Sequence, residues 1–195
     1  MKNLVEMDAQ EELRSGIEEL VAAMVDHRAD VVVEAGGGTA EWPVLAVVCR
    51  RADVGVVLGK EGATLGHLRL LALLAAKRLG FAGVSVDFDE SKCQGPFQAG
   101  PRPAFVPRAD WDREGFEGLA TRVVAACLGR CAVALEPGKT RYKLTVAALE
   151  QLPPQHELKT KEPPVKAVEA ALRRVLCCAG AQAGQLVTVE LSDES

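Results

Sequence analysis

The stretch that decides the fold is Asp53-Val54-Gly55-Val56-Val57-Leu58-Gly59-Lys60-Glu61-Gly62. A short apolar run is followed by two glycines that enclose one basic and one acidic residue. Glycines let the backbone turn tightly and let another chain approach it closely. A second apolar run, 63–79, predicts a long helix whose first N–H groups and positive end face the loop. We therefore expect a short helix, a tight loop bounded by glycines and a long helix.

The elements around this stretch follow from the spacing of apolar residues. On the N-terminal side, spacings of three and four predict a helix over Asp8–Val25, with Asp8 as N-cap and Glu11 as its capping-box partner. Two valine-rich runs predict strands, and Gly36-Gly37-Gly38 between them predicts a hairpin turn. On the C-terminal side the long helix should end at Gly80, before a strand over Val84–Phe88.

A glycine triplet can also belong to a phosphate loop. A dinucleotide-binding loop requires G-x-G-x-x-G after a strand and at the start of a helix. Here the triplet leads towards Trp42-Pro43 and a second strand. The sequence therefore favours a turn.

The second half repeats the order of elements at low sequence identity. A segment rich in proline and glycine, residues 93–113, predicts a linker between a domain over 1–92 and a domain over 114–195. In the second domain the patterns predict a helix, two strands, a long helix over Pro164–Cys178 and a final strand. No GxxG is present there, and the prolines of 151–164 argue against a tight helix–loop–helix. The fold class expected is α/β (α+β), with two similar modules that each pack helices on one face of a small sheet.

The run from Val44 to Phe88 resembles a KH domain, and most closely the small stand-alone KH proteins of bacteria. The matching pattern is an acid, a glycine two residues later, an apolar triplet, and G-x-x-G with a basic residue inside. The leading helix and strand resemble the type II arrangement. The second half resembles the family in topology alone and is interpreted as a degenerate KH-like repeat that lacks the loop.

The resemblance implies non-catalytic binding of single-stranded RNA, or of single-stranded DNA. The family's GxxG loop clamps the backbone of about four nucleotides. The predicted RNA-binding residues are Gly59, Lys60, Glu61 and Gly62, with weaker contributions from Arg51, Thr64 and His67. Two departures from the pattern point to modest affinity: Glu61 adds a negative charge to the loop, and Thr64-Leu65-Gly66 stand where the family often has another basic residue.

The charge distribution supports a local phosphate site on an acidic protein. The formal net charge is -4. Acidic residues dominate before Glu41, whereas basic residues outnumber acidic ones between Arg50 and Arg78. A basic patch of this size suits a modest phosphate site, but not sequence-independent coating of DNA.

The sequence contains no complete motif for catalysis, cofactor binding or metal binding. Gly138-Lys139-Thr140 has the end of a Walker A loop, but Val133 stands where its first glycine is required. The three histidines have no partnered nucleophile in an interpretable motif. The six cysteines are predicted to be free core thiols, and no CxxC or paired histidine completes a tetrahedral metal set. We therefore expect no enzyme activity, no cofactor and no metal.

Other expectations concern location and partners. No long apolar run and no apolar leader occurs, which predicts a cytoplasmic protein without a membrane partner. The second repeat could bind a protein. A rival interpretation is a scaffold that kept the fold and lost the ligand, and another is an accessory module in ribosome assembly or RNA processing. The long helix is apolar nearly all round, which predicts cover by the second repeat or by another copy of the chain.

Overall fold

The computed structural model divides the chain into two compact units, 1–101 and 102–195. The residues that it describes are 2–96, 113–129, 131–137, 141–147, 152–158, 160–182 and 186–192. Each unit contains helices and one three-stranded sheet, which confirms the predicted α/β class with two KH-like modules.

The first unit has the order helix, strand, strand, helix, helix, strand. Helix α1 spans Lys2–Met24, and strands β1 and β2 span Val32–Gly38 and Pro43–Val48. Helices α2 and α3 span Val54–Leu58 and Ala63–Arg78, and strand β3 spans Ser85–Phe88. β2 lies in the middle of the sheet, antiparallel to β1 and parallel to β3. The parallel pair requires a crossover connection, and α2, the loop and α3 form it.

The core of the first unit lies between its sheet and its helices. Burial alternates along β2, so Pro43, Leu45 and Val47 face the helices. Such alternation is typical of a sheet with one covered face. On the helical side, α1 buries Leu13, Ile17, Leu20, Val21 and Met24, and α3 buries Leu65, Leu68, Leu71 and Leu74.

Helix α1 packs against α3 within the first unit, and cover by the second repeat or by another copy of the chain stays a prediction. The two helices contact each other, and Arg78 of α3 donates to Glu12 of α1 at 2.7 Å. Leu70, Leu73 and Leu79 remain partly exposed. Within the first unit, α3 is therefore covered by α1 as well as by the sheet.

Two local predictions in this unit were wrong, and one was confirmed. Helix α1 begins six residues before Asp8, so Asp8 lies inside the helix and is not its cap. The glycine triplet belongs to β1, whose pairing with β2 shifts between Ala35 and Gly37. The helix end at Gly80 is confirmed: its φ is +88°, and the N–H groups of Gly80 and Phe81 bond the carbonyls of Lys77 and Ala76.

The chain reverses direction just after the triplet, at Thr39 and Trp42, whose backbones exchange two hydrogen bonds. The Thr39 hydroxyl accepts a further bond from the Trp42 N–H at 3.0 Å. The Trp42 ring lies against Gly83, where a Cβ atom would come within 2.5 Å of the ring. The indole is nevertheless 41% exposed. The hairpin end and the connection before β3 are thus packed together.

The second unit has the same order and the same sheet topology. Helix α4 spans Arg113–Leu128, and strands β4 and β5 span Ala132–Pro137 and Arg141–Ala147. Helices α5 and α6 span Gln155–Leu158 and Pro164–Gln182, and strand β6 spans Leu186–Ser192. β5 is central, antiparallel to β4 and parallel to β6. Residues 138–140, between β4 and β5, lie outside the described residues.

The prolines were predicted to exclude a tight helix–loop–helix like the first one, and the second unit nevertheless has two helices, α5 and α6, at the equivalent position. Pro154 and Pro164 stand just before α5 and at the first position of α6, where the missing N–H costs no helical hydrogen bond. The Pro154 carbonyl accepts from the N–H groups of Glu157 and Leu158, and the Pro163 carbonyl accepts from Ala167. Proline therefore starts these helices.

The predicted linker falls partly within the described residues. Residues 93–96 are described and belong to the first unit, where Cys93 is buried. The rest of the segment as far as 112 lies outside the described residues. Among the described helices, none combines the length and the apolar character that a membrane span requires.

The cover of α3 by α1 leads to a prediction about fragments. Residues 1–96 expressed alone should give a folded monomer, because α1 supplies the cover from within the unit. Residues 26–96, which lack α1, should aggregate because the leucines of α3 lose that cover. Light scattering and circular dichroism measure both properties. Aggregation of both fragments to the same extent would contradict this packing argument.

Candidate functional site

The loop between α2 and α3 has an unusual backbone. Gly59 has φ +70° and ψ 179°, and Gly62 has φ +78° and ψ 9°. Glu61 also has a positive φ, 55°, and among the described residues it is the one non-glycine residue that does. Left-handed conformations are unfavourable for residues with a Cβ atom. Three of the four loop residues therefore hold conformations that favour glycine, and Glu61 does so at an energetic cost.

Gly59 is required by a close approach as well as by its φ angle. A Cβ atom at this position would lie 2.2 Å from Thr64 Oγ1 and 2.8 Å from Thr64 Cβ. Thr64 itself is fully buried. Its side chain thus packs beneath the loop and shapes it. A contact between Thr64 and a ligand stays a prediction.

The buried carboxylate of Asp53 fixes the start of the short helix α2. Asp53 is 1% exposed. Its two oxygens accept hydrogen bonds from the backbone N–H groups of Asp26 and His27, at 3.2 and 3.1 Å. His27 Nδ1 lies 2.8 Å from Oδ2. A buried carboxylate is tolerated when its lone pairs are used in this way. Asp53 therefore ties the end of α1 to residues 51–58, which lead into the loop and are here called the arm.

Two exposed cations flank α2. Arg51 precedes the helix and Lys60 lies in the loop after it, and both side chains face solvent. Within the described part of the chain, neither makes an ion pair. Both can therefore offer positive charge to a ligand that lies along α2.

The rest of the basic surface is smaller than the residue count predicted. Arg50, Arg69 and Arg78 pair with Asp30, Asp87 and Glu12, at 3.6, 3.1 and 2.7 Å. Arg69 also donates to the Val86 carbonyl at 2.7 Å. Ion pairing thus engages at least three of the six basic residues between positions 50 and 78.

His67 lies on α3, one helical turn after its first residue, and its side chain is partly buried. This position is near the loop in sequence and along the helix. A contact between His67 and a ligand stays a prediction.

The second unit carries a different loop at the equivalent place. Thr160-Lys161-Glu162-Pro163 precedes α6 as Gly59-Lys60-Glu61-Gly62 precedes α3. The Thr160 hydroxyl accepts a bond from the Glu162 N–H at 3.2 Å. Pro163 has no N–H and cannot adopt a positive φ. This loop keeps the lysine and the glutamate but has none of the glycine conformations of the first loop.

A histidine, a carboxylate and a thiol lie close together near α2, the three residue types of a cysteine-dependent enzyme. Asp53 contacts His27, and the nearby thiol is Cys49. Burial, and then the charges of Cys93 and Asp53, raise the pKa of Cys49 to about 12. A thiol with this pKa stays protonated at neutral pH and is a poor nucleophile. The residues that the structure describes contain no cluster of three or more metal-ligating side chains.

Sequence reasoning found the loop but missed what holds it. Asp53 was noted as part of a pattern and Thr64 as a weak contact, whereas both are buried supports. An acidic residue directly before an apolar pentapeptide is a signal for the role of Asp53, because Val54 and Val57 of that pentapeptide are buried beside it.

Comparison with known proteins agrees with this geometry. Residues 14–88 match the family model described as the KhpA/KhpB KH domain. The match begins within α1 and ends at the last residue of β3, so it contains Asp53 and the whole loop. No curated protein and no solved structure matches the chain.

The three glycines around α2 provide a graded test of the loop geometry. Gly59→Ala should destabilise the protein most, by about 3 kcal/mol or more, because strain in φ adds to the clash with Thr64. Gly62→Ala should cost about 1 kcal/mol, since open space surrounds it and φ alone is unfavourable. Gly55→Ala, within α2 and also in open space, should stabilise by up to about 1 kcal/mol. Urea unfolding measures all three, and equal effects would contradict the geometry.

A second test concerns the carboxylate beneath the loop. Asp53→Asn should destabilise the protein by about 2–3 kcal/mol, because an amide nitrogen replaces one acceptor of the N–H groups of Asp26 and His27. Asp87→Asn is the matched control, since that carboxylate is exposed and its loss should cost less than about 1 kcal/mol. Thermal and urea unfolding compare the two variants. Similar losses would show that Asp53 is not an anchor.

Proposed function

We propose that this chain, whose residues 14–88 belong to the KhpA/KhpB family of KH domains, binds single-stranded RNA through its Gly59–Gly62 loop. KH domains bind nucleic acid in general. The observation that carries the finer proposal is the loop itself, which presents exposed Lys60 on a backbone with three positive φ angles at the start of α3. We include Arg51 as a second phosphate contact and His67 as a weaker one. The proposed activity is non-catalytic and cytoplasmic.

The physical basis of the proposal is the combination of close approach and positive charge. Glycine at both ends of the loop leaves the backbone open to a sugar–phosphate chain. The N-terminus of α3 adds a positive dipole and N–H groups directed at the loop. Lys60 supplies a compact cation after the C-terminal end of α2, and Arg51 supplies a second cation before its N-terminal end. A ligand backbone along this arm would therefore meet positive charge at both ends.

The pairing of Arg50, Arg69 and Arg78 with carboxylates favours a second candidate, a scaffold that kept the fold without nucleic-acid binding. The two functions differ in their response to salt. A labelled single-stranded RNA and a DNA of the same sequence are titrated with the full chain at several salt concentrations. A phosphate site gives a linear fall of log affinity with log salt, with a slope of about -0.7 per phosphate contact. A scaffold gives no binding even at low salt, and equal affinity for DNA would broaden the ligand to both nucleic acids.

A double substitution tests the loop directly. Lys60→Asp with Glu61→Asp should abolish binding and leave thermal stability nearly unchanged, because both side chains are exposed and aspartate tolerates a positive φ. The matched control is Lys161→Asp with Glu162→Asp, the equivalent pair in the second unit, which should retain full affinity. Fluorescence anisotropy measures the affinity. An equal loss in the two variants would remove the specific role of the first loop.

Replacement of the loop carboxylate should raise the affinity. Glu61→Lys removes a negative charge near the phosphates and adds a positive one; each change contributes about 1 kcal/mol at 4 Å in water, or about fivefold in affinity. The salt slope should steepen. Glu61→Gln removes the charge alone and should give about half of the gain. Weaker binding by Glu61→Gln would mean that the carboxylate contacts the ligand directly.

A further inference from the structure

The outer edge of strand β1 is capped at one point by side chains of helix α1. β1 is an edge strand, since the sheet has the order β1-β2-β3. The N–H of Val33 donates to the Glu18 carboxylate at 3.2 Å, and the Val33 carbonyl accepts from the Arg14 guanidinium at 3.2 Å. These two side chains are themselves paired at 2.9 Å. They take the place of a neighbouring strand at Val33 and prevent another strand from pairing there.

Two residues further along β1, at Ala35, the edge is open. Backbone groups in an antiparallel pair alternate between facing the partner strand and facing away from it. Those of Val33 face away from β2, and the register runs unbroken from Val33 to Ala35. The N–H and C=O of Ala35 therefore point to the outer edge as well. In the part of the chain that the structure describes, side-chain hydrogen bonds to this edge end at Val33.

A cavity of about 380 Å³ lies beside this open stretch, between β1 and α1. On the sheet side it is lined by Ala35, Pro43 and Leu45, among others. Pro43 and Leu45 are buried and face the helices, so the floor of the cavity is apolar. Its volume is at the small end of the range of about 300–1,000 Å³ that is usual for ligand sites. The cavity therefore suits an apolar side chain rather than a large ligand.

The wall that α1 contributes to the cavity is acidic. Asp8 and Glu11 line it with exposed carboxylates, together with Arg14. The Arg14 guanidinium donates to both Glu11 and Glu18, so it is already paired with carboxylates. A cationic partner is attracted to such a wall, whereas the phosphates of a nucleic acid are repelled. The charge thus favours a basic peptide as the occupant.

We propose that the edge of β1 at Ala35 is a docking site for an extended segment of another protein. The segment adds to the sheet as a strand, places an apolar side chain in the cavity and sets a basic side chain beside Asp8 and Glu11. In this mode of recognition backbone hydrogen bonds provide affinity, and alternate side chains provide specificity. Because residues two apart face the same side of a strand, the recognised pattern is an apolar and a basic residue separated by one position. No lining residue of the cavity belongs to the arm or to the Gly59–Gly62 loop.

A designed peptide tests the backbone part of the proposal. Fluorescein-labelled Lys-Thr-Leu-Thr-Lys carries a lysine two places from leucine on either side, so both strand directions present one to the acidic wall. Fluorescence anisotropy with the full chain should show saturable binding. N-methylation of the leucine or of the threonine after it should weaken binding at least about tenfold in one case and little in the other, because successive N–H groups point to opposite edges. Absence of saturable binding, or equal effects of the two methyl groups, would overturn the proposal.

Two substitutions in the chain test the pairing edge and the acidic wall. Ala35→Pro removes the outward N–H, which an edge strand tolerates, and should abolish binding. Asp8→Lys should weaken binding at least about fivefold. The matched control is Glu90→Lys, which makes the same change of charge at an exposed position away from the cavity and should alter the affinity less than about twofold. Equal losses in the two lysine variants would overturn the proposal.

Further measurements separate this site from misfolding, from self-association and from the RNA loop. Circular dichroism checks the fold of Ala35→Pro, and Ala35→Phe, which fills the mouth of the cavity, replaces it if proline disturbs the strand. Unchanged affinity in a folded Ala35 variant would overturn the proposal. Lys60→Asp with Glu61→Asp should bind the peptide as well as the unmodified chain does. If light scattering shows that the chain alone forms a dimer that Ala35→Pro disrupts, the occupant is a second copy and the proposal is wrong.

Discussion

The buried carboxylate of Asp53 is the constraint on which the candidate site depends. A charge removed from water is stable only when its oxygens are well bonded, and Asp53 takes its donors from the chain that follows α1. Helix α2 has five residues, too few to be stable by itself in water. Its position, and with it that of the loop, is set by this anchor at one end and by the contact of Gly59 with Thr64 at the other.

The topology could be predicted from the sequence because periodic apolar residues and glycine-marked ends determine it. The α2–loop–α3 unit was recognised from ten residues, and Gly80 ends its helix as predicted. The prediction of a turn at the glycine triplet was wrong because glycine is required there by a tertiary contact. Gly38 lies so close to the backbone of Trp42 that a Cβ atom would come within 2.3 Å of its carbonyl oxygen, and no pattern within the triplet reveals this.

The charge of the candidate site could not be predicted for a similar reason. A count of basic residues treats Arg69 and Lys60 alike, whereas Arg69 bonds β3 and Lys60 faces solvent. Ion pairs between distant segments, such as that of Arg78 with Glu12, depend on how helices pack. The spacing of residues within the loop therefore predicted its position. The positive charge around the loop depends instead on which basic residues pair with carboxylates from distant segments.

The contact between the Trp42 ring and Gly83 makes the first unit suitable for fluorescence spectroscopy. The chain has two tryptophans, and Trp42 lies where the β1–β2 hairpin meets the connection to β3. A partly exposed indole held on a glycine backbone changes its emission when that junction opens. With Trp111 replaced by phenylalanine, the tryptophan fluorescence of the whole chain would come from this one ring. Melting of the first unit could then be followed by tryptophan emission, to which the second unit would not contribute.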